Sequence, residues 1–323
     1  MKPKVVDSHF TAFWGVFLNL NCNLNCSYCV QKISLPARPL FNYETRPGKV
    51  WVEALNAISD RTQSRFLRRR RIKKLSILGG EPTIYPDFLY VINKLDKNWK
   101  ITVTSNFNSP FFDQDVKSLR RIKNKARLRF NGSLHFIYSP LERFAANVQK
   151  LKRAGIGVHT LFLVAHPAYL DKVSDYKSQL LKIHPRVKLQ RFLGRHQGNL
   201  YPRESDYGMD QEQRDGISNY ELYRRGFGQR QASPVFCHSD KVLIAPNGDI
   251  YNCHYKVYTG HKDKLGNLFD DDVRVHIPRD YFFCRDFGFC NPCDSEGHLF
   301  KNLEGEVECI SPETGPRALE IQE

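Results

Sequence analysis

The sequence predicts an α/β protein: a partial (β/α)6 TIM-like barrel of parallel strands, then a small cysteine-rich C-terminal domain containing a β-hairpin. Two observations predict it. From residue 11 to about 193, short runs rich in β-branched and aromatic residues alternate with amphipathic helical stretches, the pattern of βα units on a parallel sheet. The nine cysteines then fall into two groups, with none between residues 30 and 236, and the second group sits in loop-like sequence that a metal site would staple. The expected division is a tail over 1–9, the barrel over 10–195, a connector over 196–232 and the C-terminal domain over 233–323.

The six strands are expected at "AFWGVFLNL" (12–20), "KLSILGG" (74–80), "KITVTSN" (100–106), "RLRFNGSLHF" (127–136), "IGVHTLFLVA" (156–165) and "VKLQRFL" (187–193). Between them lie helical patterns at 49–59, 86–96, 113–124, 141–155 and 168–183. In the fourth of these, Phe144, Val148 and Leu151 recur at helical spacing, and Gly155 suits the residue after the helix end. Six units close less of a ring than the eight of a complete barrel. The connector is polar, with one short helix expected near "SNYELYRR". Beyond it, "KVLIAPNGDIYNCHY" reads as a hairpin, with Asn-Gly supplying the positive φ of a tight turn.

Composition narrows the function classes. No apolar run reaches the roughly 18 to 20 residues of a membrane span, and "MKPKVVDSHF" lacks the apolar core of a secretory signal. A cytoplasmic location is the expectation, with no membrane partner. An odd number of cysteines without a signal peptide argues against a disulfide framework and for metal or cluster binding. The net charge of +15 suits a polyanion, an anionic small substrate or an acidic electron donor. The densest basic run, "RFLRRRRIKK" (65–74), has no ladder of aromatics on which single-stranded nucleic acid would stack. It reads as a solvated face.

Cys22, Cys26 and Cys29 follow the first strand, where a parallel barrel places its active-site loops. Three thiolates at Cx3Cx2C spacing can hold three corners of a cubane iron–sulfur cluster, which ordinarily takes four cysteines, leaving one iron open. A zinc site with a distant fourth ligand has the same local appearance.

The run Cys22, Cys26, Tyr28, Cys29 resembles the signature of radical S-adenosylmethionine (radical SAM) enzymes. The resemblance implies a 4Fe-4S cluster with an open iron that chelates the methionine amino and carboxylate groups. Reductive cleavage of the sulfonium then yields a 5′-deoxyadenosyl radical that abstracts hydrogen. Gly79, Gly80, Glu81 and Pro82 at the end of the second strand resemble the family's GGEP motif, implied to meet the methionine amino group. Two glycines allow close backbone approach, and a carboxylate suits an ammonium. Ser105 and Asn106 resemble a Thr-Asn pair near the cofactor, with Phe107 where the family has Gly. Ser133 resembles a serine near the cofactor carboxylate or ribose, with His135 where Asp is frequent. Gln190 and Arg191 on the last strand are further pocket candidates. The resemblance covers residues 12–193.

In the C-terminal part, Cys237 and Gly248-x4-Cys253 resemble the opening of the SPASM and twitch extensions, which carry auxiliary clusters. The rest departs from a full SPASM order: Cys284, Cys290 and Cys293 form Cx5Cx2C, and Cys309 stands alone. The economical expectation is one auxiliary 4Fe-4S cluster on Cys237, Cys253, Cys290 and Cys293, with Cys284 and Cys309 as alternates. A zinc ribbon is the competing reading of these pairs.

By the same resemblance, an electron comes from a flavodoxin- or ferredoxin-type donor, and the substrate is a peptide or small metabolite undergoing oxidation, epimerisation or cross-linking. Peptide maturases of this type often carry an N-terminal leader-recognition domain; Cys22 lies too near the start for one, which favours a small molecule or short peptide. Two other readings stand beside this one: a radical SAM enzyme modifying RNA, and a non-enzymatic zinc or cluster protein that binds nucleic acid.

Overall fold

The computed structural model of the protein describes residues 4–7, 13–33, 40–59, 73–192, 194–197, 199–201, 233–278, 280–290, 298–301, 303 and 307–309. The strands, in chain order, are β1 (Lys4–Asp7), β2 (Phe13–Phe17), β3 (Ile58–Ser59), β4 (Lys73–Leu78), β5 (Trp99–Ser105), β6 (Leu128–Leu134), β7 (Gly157–Ala165), β8 (Val187–Arg191), β9 (Gly194–His196), β10 (Asn199–Tyr201), β11 (Ser233–His238), β12 (Lys241–Ile244), β13 (Asp249–Tyr251), β14 (Gly266–Asn267), β15 (Arg274–His276), β16 (Phe282–Phe287), β17 (Leu299–Lys301) and β18 (Val307–Cys309). The helices are α1 (Val30–Ile33), α2 (Gly48–Asn56), α3 (Phe88–Lys94), α4 (Val116–Arg120), α5 (Leu141–Arg153), α6 (Leu170–Ile183) and α7 (His254–Thr259).

β2, β4, β5, β6, β7 and β8 are neighbours in that order, every pair parallel. This is the partial barrel, and α2 to α6 occupy its crossovers. Along β5 and β6 every second residue is fully buried, the period-2 pattern of a sheet packed on one side by helices. Leu141, Phe144, Val148 and Leu151 form the buried stripe of α5. That helix ends as its sequence requires: Gly155 takes φ +77°, Gly155 N–H donates to Lys152 O, and Ile156 N–H to Leu151 O. The last carbonyls are thereby satisfied.

The C-terminal hairpin is placed differently from its expected position in a separate domain. β12 pairs parallel with β2, Lys241 opposite Phe13 through Ile244 opposite Val16, so β12, β13 and β14 extend the barrel sheet to nine strands. The reason is burial on both faces. Val242, Ile244 and Ile250 join the main core, while Leu243 and Tyr251 pack with Phe17 and Leu20 on the other side. An uninterrupted apolar run such as "VLIA" is what two-sided burial demands. In the turn, Gly248 N–H donates to Ala245 O, and Gly248 alone, not Asn247, takes a positive φ (+90°).

Residues 4–7, expected as tail, form a strand between β15 and β3 in a small parallel sheet. A separate four-stranded antiparallel sheet, in the order β16-β11-β17-β18, carries Cys237, Cys284 and Cys309. The expected helix near "SNYELYRR", most of the connector and most of the basic run lie outside the described residues. Among the described residues no helix is long and apolar enough to cross a membrane.

Candidate active site

All six barrel strands run the same way, so their C-terminal ends gather on one face. There a cavity of about 640 Å³ is walled by Cys22, Cys26 and Cys29 on the loop after β2, and by Gly79 and Gly80 after β4. Ser105 and Asn106 from β5, Ser133 and His135 from β6, and Gln190 from β8 complete that side. Five strand ends thus bring together residues scattered over about 170 positions of the chain. Arg191 ends β8, but its side chain lies outside the described residues.

The cysteine loop is shaped to offer sulfur. Leu24 N–H donates to Cys22 Sγ (3.4 Å), and Asn106 Nδ2 reaches the same sulfur at 3.8 Å. N–H donors aimed at a sulfur favour the thiolate that binds iron. Burial pushes the Cys22 thiol up. Burial, and then the charges of Cys29 and Cys22, push Cys26 up to about 12. The charges of the three thiolates oppose one another, so all three ionised together call for a cation, and a cluster would supply that charge. Among the described residues no three His, Cys, Asp or Glu side chains converge on one point as ligands of a single ion do. Three thiols on one loop, with N–H groups directed at Cys22 Sγ, are a donor set that fits a cluster ligated through sulfur.

Tyr28 anchors the loop. Its hydroxyl lies 3.1 Å from His135 Nδ1, and its ring packs against Phe192 and His166 at 5.1 and 5.4 Å between centroids. Burial holds His135 down at about 4, so its imidazole is neutral near pH 7.

The Gly-Gly-Glu-Pro corner works in two layers. A Cβ on Gly79 would stand 2.2 Å from Asn19 O, and one on Gly80 would stand 2.1 Å from Asn21 O. The corner is therefore pressed against the main chain that leads into Cys22, and Glu81 N–H donates to Asn21 O (2.8 Å). The Glu81 side chain turns away from the cavity. It is 0% exposed, and its carboxylate accepts from Thr83 N–H (3.2 Å), the Thr83 hydroxyl and Asn106 N–H (2.8 Å). Burial pushes its carboxyl up, against the pull of these donors. Pro82 is buried and opens the 3-10 turn Pro82–Ile84. The carboxylate that the sequence aims at an ammonium is thus committed to tying the ends of β4 and β5 together, and the cavity wall at this corner is Gly79 and Gly80.

Phe107 takes φ +55°, the left-handed conformation that favours glycine. Its ring is 1% exposed and packs on Phe112 and Phe144, with centroids at 4.9 and 5.1 Å. Gly132 makes the room, since a Cβ there would meet the ring at 2.5 Å. The backbone shape at this strand end is kept without the glycine, and Asn106 is thereby held toward Cys22.

His254 and Tyr258, from α7, also line the cavity. Sequence reasoning missed both. The signal available was their position within five residues of Cys253, on the helix that follows the hairpin adjoining β2.

In the C-terminal group, burial raises the Cys237 thiol, followed by the charges of Cys253 and Cys284. Burial and then Cys253 raise Cys284 to about 11. Cys284, on β16, stands opposite Val235, two residues before Cys237 along β11, so this alternate lies on the strand beside one of the expected ligands. Cys290 is buried beside Cys237 in a small core with Val235 and Phe300. Cys293 lies outside the described residues. Cys309 is the last residue of β18, opposite Leu299.

Residues 17–175 match the family model described as the Radical SAM superfamily. No curated protein matches the chain. Among solved structures, native anSMEcpe with bound AdoMet and a Cp18Cys peptide is similar at 15% identity and a TM-score of 0.50, over 83% of this chain and 78% of that one. Native anSMEcpe with bound AdoMet is similar at 14% identity and a TM-score of 0.51, over 80% and 78% of the two chains. At such identity the likeness is one of fold.

Proposed function

We propose that the chain is a radical SAM enzyme, on the match of residues 17–175 to that family model, and that it functionalises an unactivated C–H bond of a peptide or small metabolite, using S-adenosylmethionine and two iron–sulfur clusters. One observation carries this reading: the three thiols of the Cx3Cx2C loop and the Gly79–Gly80 main chain wall one cavity at the strand C-terminal ends. When bound there, the cluster and S-adenosylmethionine supply an electron and a 5′-deoxyadenosyl radical, the hard chemistry of the reaction.

The chain's own residues bind and orient. Cys22, Cys26 and Cys29 hold the cluster, with Leu24 N–H and Asn106 Nδ2 stabilising the Cys22 thiolate. Gly79 and Gly80 present main-chain groups to the methionine end of the cofactor. Ser105, Asn106 and Ser133 offer polar contacts along the adjoining strand ends. Tyr28, packed on Phe192 and His166, closes the wall behind the cysteines and limits water. His254 and Tyr258 face the same space from the C-terminal side, where a substrate C–H bond would be presented.

The C-terminal cysteines, led by Cys237, Cys253 and Cys284, would hold an auxiliary 4Fe-4S cluster, which would supply a second one-electron redox centre for an oxidation. A flavodoxin- or ferredoxin-type donor, acidic to match a net charge of +15, reduces the enzyme.

The test is anaerobic reconstitution with iron and sulfide, reduction, and addition of S-adenosylmethionine. The expected result is 5′-deoxyadenosine formation, lost in the variant with Cys22, Cys26 and Cys29 all replaced by Ala. Iron-loaded protein that forms none, or a triple variant that still forms it, overturns the assignment.

A further inference from the structure

The inner face of the barrel sheet is charged below the cavity. Along β5, Trp99, Ile101 and Val103 belong to the core shared with the helices. Lys100, Thr102 and Thr104 therefore point the other way, and Thr104 lines the cavity. The same alternation puts Lys74 on the inner face of β4, four residues before Leu78, and Arg129 on that of β6, four before Ser133. On β8, Lys188 stands opposite Phe162 of β7 and two residues before the cavity residue Gln190.

Lys74, Lys100, Arg129 and Lys188 thus share one face; Lys100 is half-buried and the others are exposed. Lys74 is paired directly with Lys100 across β4 and β5, and Arg129 stands on the next strand, opposite Thr102. Like charges directly opposite on neighbouring strands destabilise a sheet. Strands β4 to β8 contain no Asp or Glu to offset them. None of these cations makes an ion pair or hydrogen bond with another described residue. The His159 imidazole on β7 is held down by burial and then by the charges of Arg186 and Arg129. A concave surface lined by one sign of charge concentrates its field on what enters it.

We propose that Lys74, Lys100, Arg129 and Lys188 form the subsite for an anionic group of the substrate, a carboxylate or a phosphate. This rests on the reading that the cavity above them houses the radical chemistry. A guanidinium and several ammonium groups are the donors that such oxygens take. Two to four residues of strand separate these side chains from the cavity, roughly 7–13 Å. The substrate is therefore elongated, with its charge held that far from the carbon that reacts.

The test titrates the anaerobically reconstituted full chain, with S-adenosylmethionine present, with inorganic phosphate and with succinate at low salt. Binding is followed through the NMR signals of the anion. At least one anion is expected to bind, phosphate marking a phosphate group and succinate a carboxylate. Lys100→Gln/Arg129→Gln is expected to weaken that binding at least about tenfold. Lys117→Gln/Lys182→Gln, on the outer helices α4 and α6, makes the same change in net charge and is expected to leave it nearly unchanged. Neither anion binding the parent, or both variants weakening binding equally, overturns the proposal. A uridine oligonucleotide that binds this face in place of both anions gives it to nucleic acid and overturns the proposal too. Lys100→Gln alone carries a second readout. It removes the repulsion with Lys74, so the urea midpoint is expected to hold or rise; a fall makes the cations structural and overturns the subsite. 5′-Deoxyadenosine is measured on the same parent sample. A chain that forms it and binds neither anion overturns this proposal alone. A chain that binds an anion and forms none overturns the reading of the cavity, and the substrate role with it.

Discussion

Replacing Phe107 tests how a strand end keeps a glycine's shape without the glycine. The backbone at Phe107 is left-handed, φ +55°, which costs a non-glycine residue roughly 1–2 kcal/mol. The ring repays this by burial against Phe112, Phe130 and Phe144. Phe107→Ala removes the ring and keeps the backbone strain, a loss of about 3–5 kcal/mol for a core phenylalanine. Phe107→Gly removes the ring and relieves the strain, so its loss is smaller by about 1 kcal/mol. Elsewhere in sheets and helices glycine is the worse of the two by about 0.5–1 kcal/mol. The order at this position is therefore inverted. Urea unfolding of the metal-free protein, followed anaerobically through buried Trp51 and Trp99, reads it directly. A second arm uses Gly132→Ala, whose Cβ would stand 2.5 Å from the ring. It is expected to cost clearly less in the Phe107→Gly background than in the parent. If Phe107→Ala equals or exceeds Phe107→Gly in stability, the left-handed strain is not there and the reasoning fails.

Gly79→Ala forces a Cβ to 2.2 Å from Asn19 O at a φ of +141°, so iron retention after reconstitution is expected to fall severalfold; full loading would show the corner is not pressed on the cysteine loop. Glu81→Gln replaces one acceptor oxygen of the tie between Thr83 and Asn106 by a donor, at a cost of roughly 1–3 kcal/mol for the buried mismatch; an unchanged urea midpoint would contradict it. His135 has its folded value lowered from 6.5 to about 4, so the unfolded chain binds more protons in between, and its contribution to stability is present above about 6.5 and lost as pH falls towards 4. His135→Gln should flatten the stability–pH curve across that window, leaving the parts due to His166, which is lowered to about 4 likewise, and to His159, His184 and His298, which burial also lowers; an unchanged slope would refute it. Cys284→Ala is expected to remove the auxiliary cluster, about half of the iron of a chain with two cubanes, and full iron content would return Cys284 to a spare.

The barrel was readable because buried parallel strands leave near-continuous apolar runs and their helices leave stripes. All six strands and α5 fall within a few residues of the expected ranges. Sidedness was readable too, since Cys22, Gly79, Asn106, Ser133 and Gln190 each stand at or just beyond a strand end. What could not be read depends on contacts between distant segments. Nothing local in "KVLIA" says which strand it will pair with, so the hairpin's place beside β2, and with it His254 and Tyr258 in the cavity, was hidden. The Glu81 carboxylate has the right chemistry for an ammonium, yet its direction is set by Thr83 and Asn106. Phe107 departs from a glycine pattern, and only the pocket beside Gly132 shows how the departure is absorbed.

The parallel pairing of β12 with β2 has a consequence for how the chain becomes a protein. Phe13–Val16 hydrogen-bond to a segment more than 220 residues later. During synthesis, β2 and the cysteine loop that follows it emerge well before the strand that covers their outer edge. Until then β2 presents unpaired backbone groups, an edge open to pairing with other chains. Contacts of such sequence separation also close slowly. A chain cut short after β8 would thus carry every residue of the Cx3Cx2C loop and still lack the strand that seals its side.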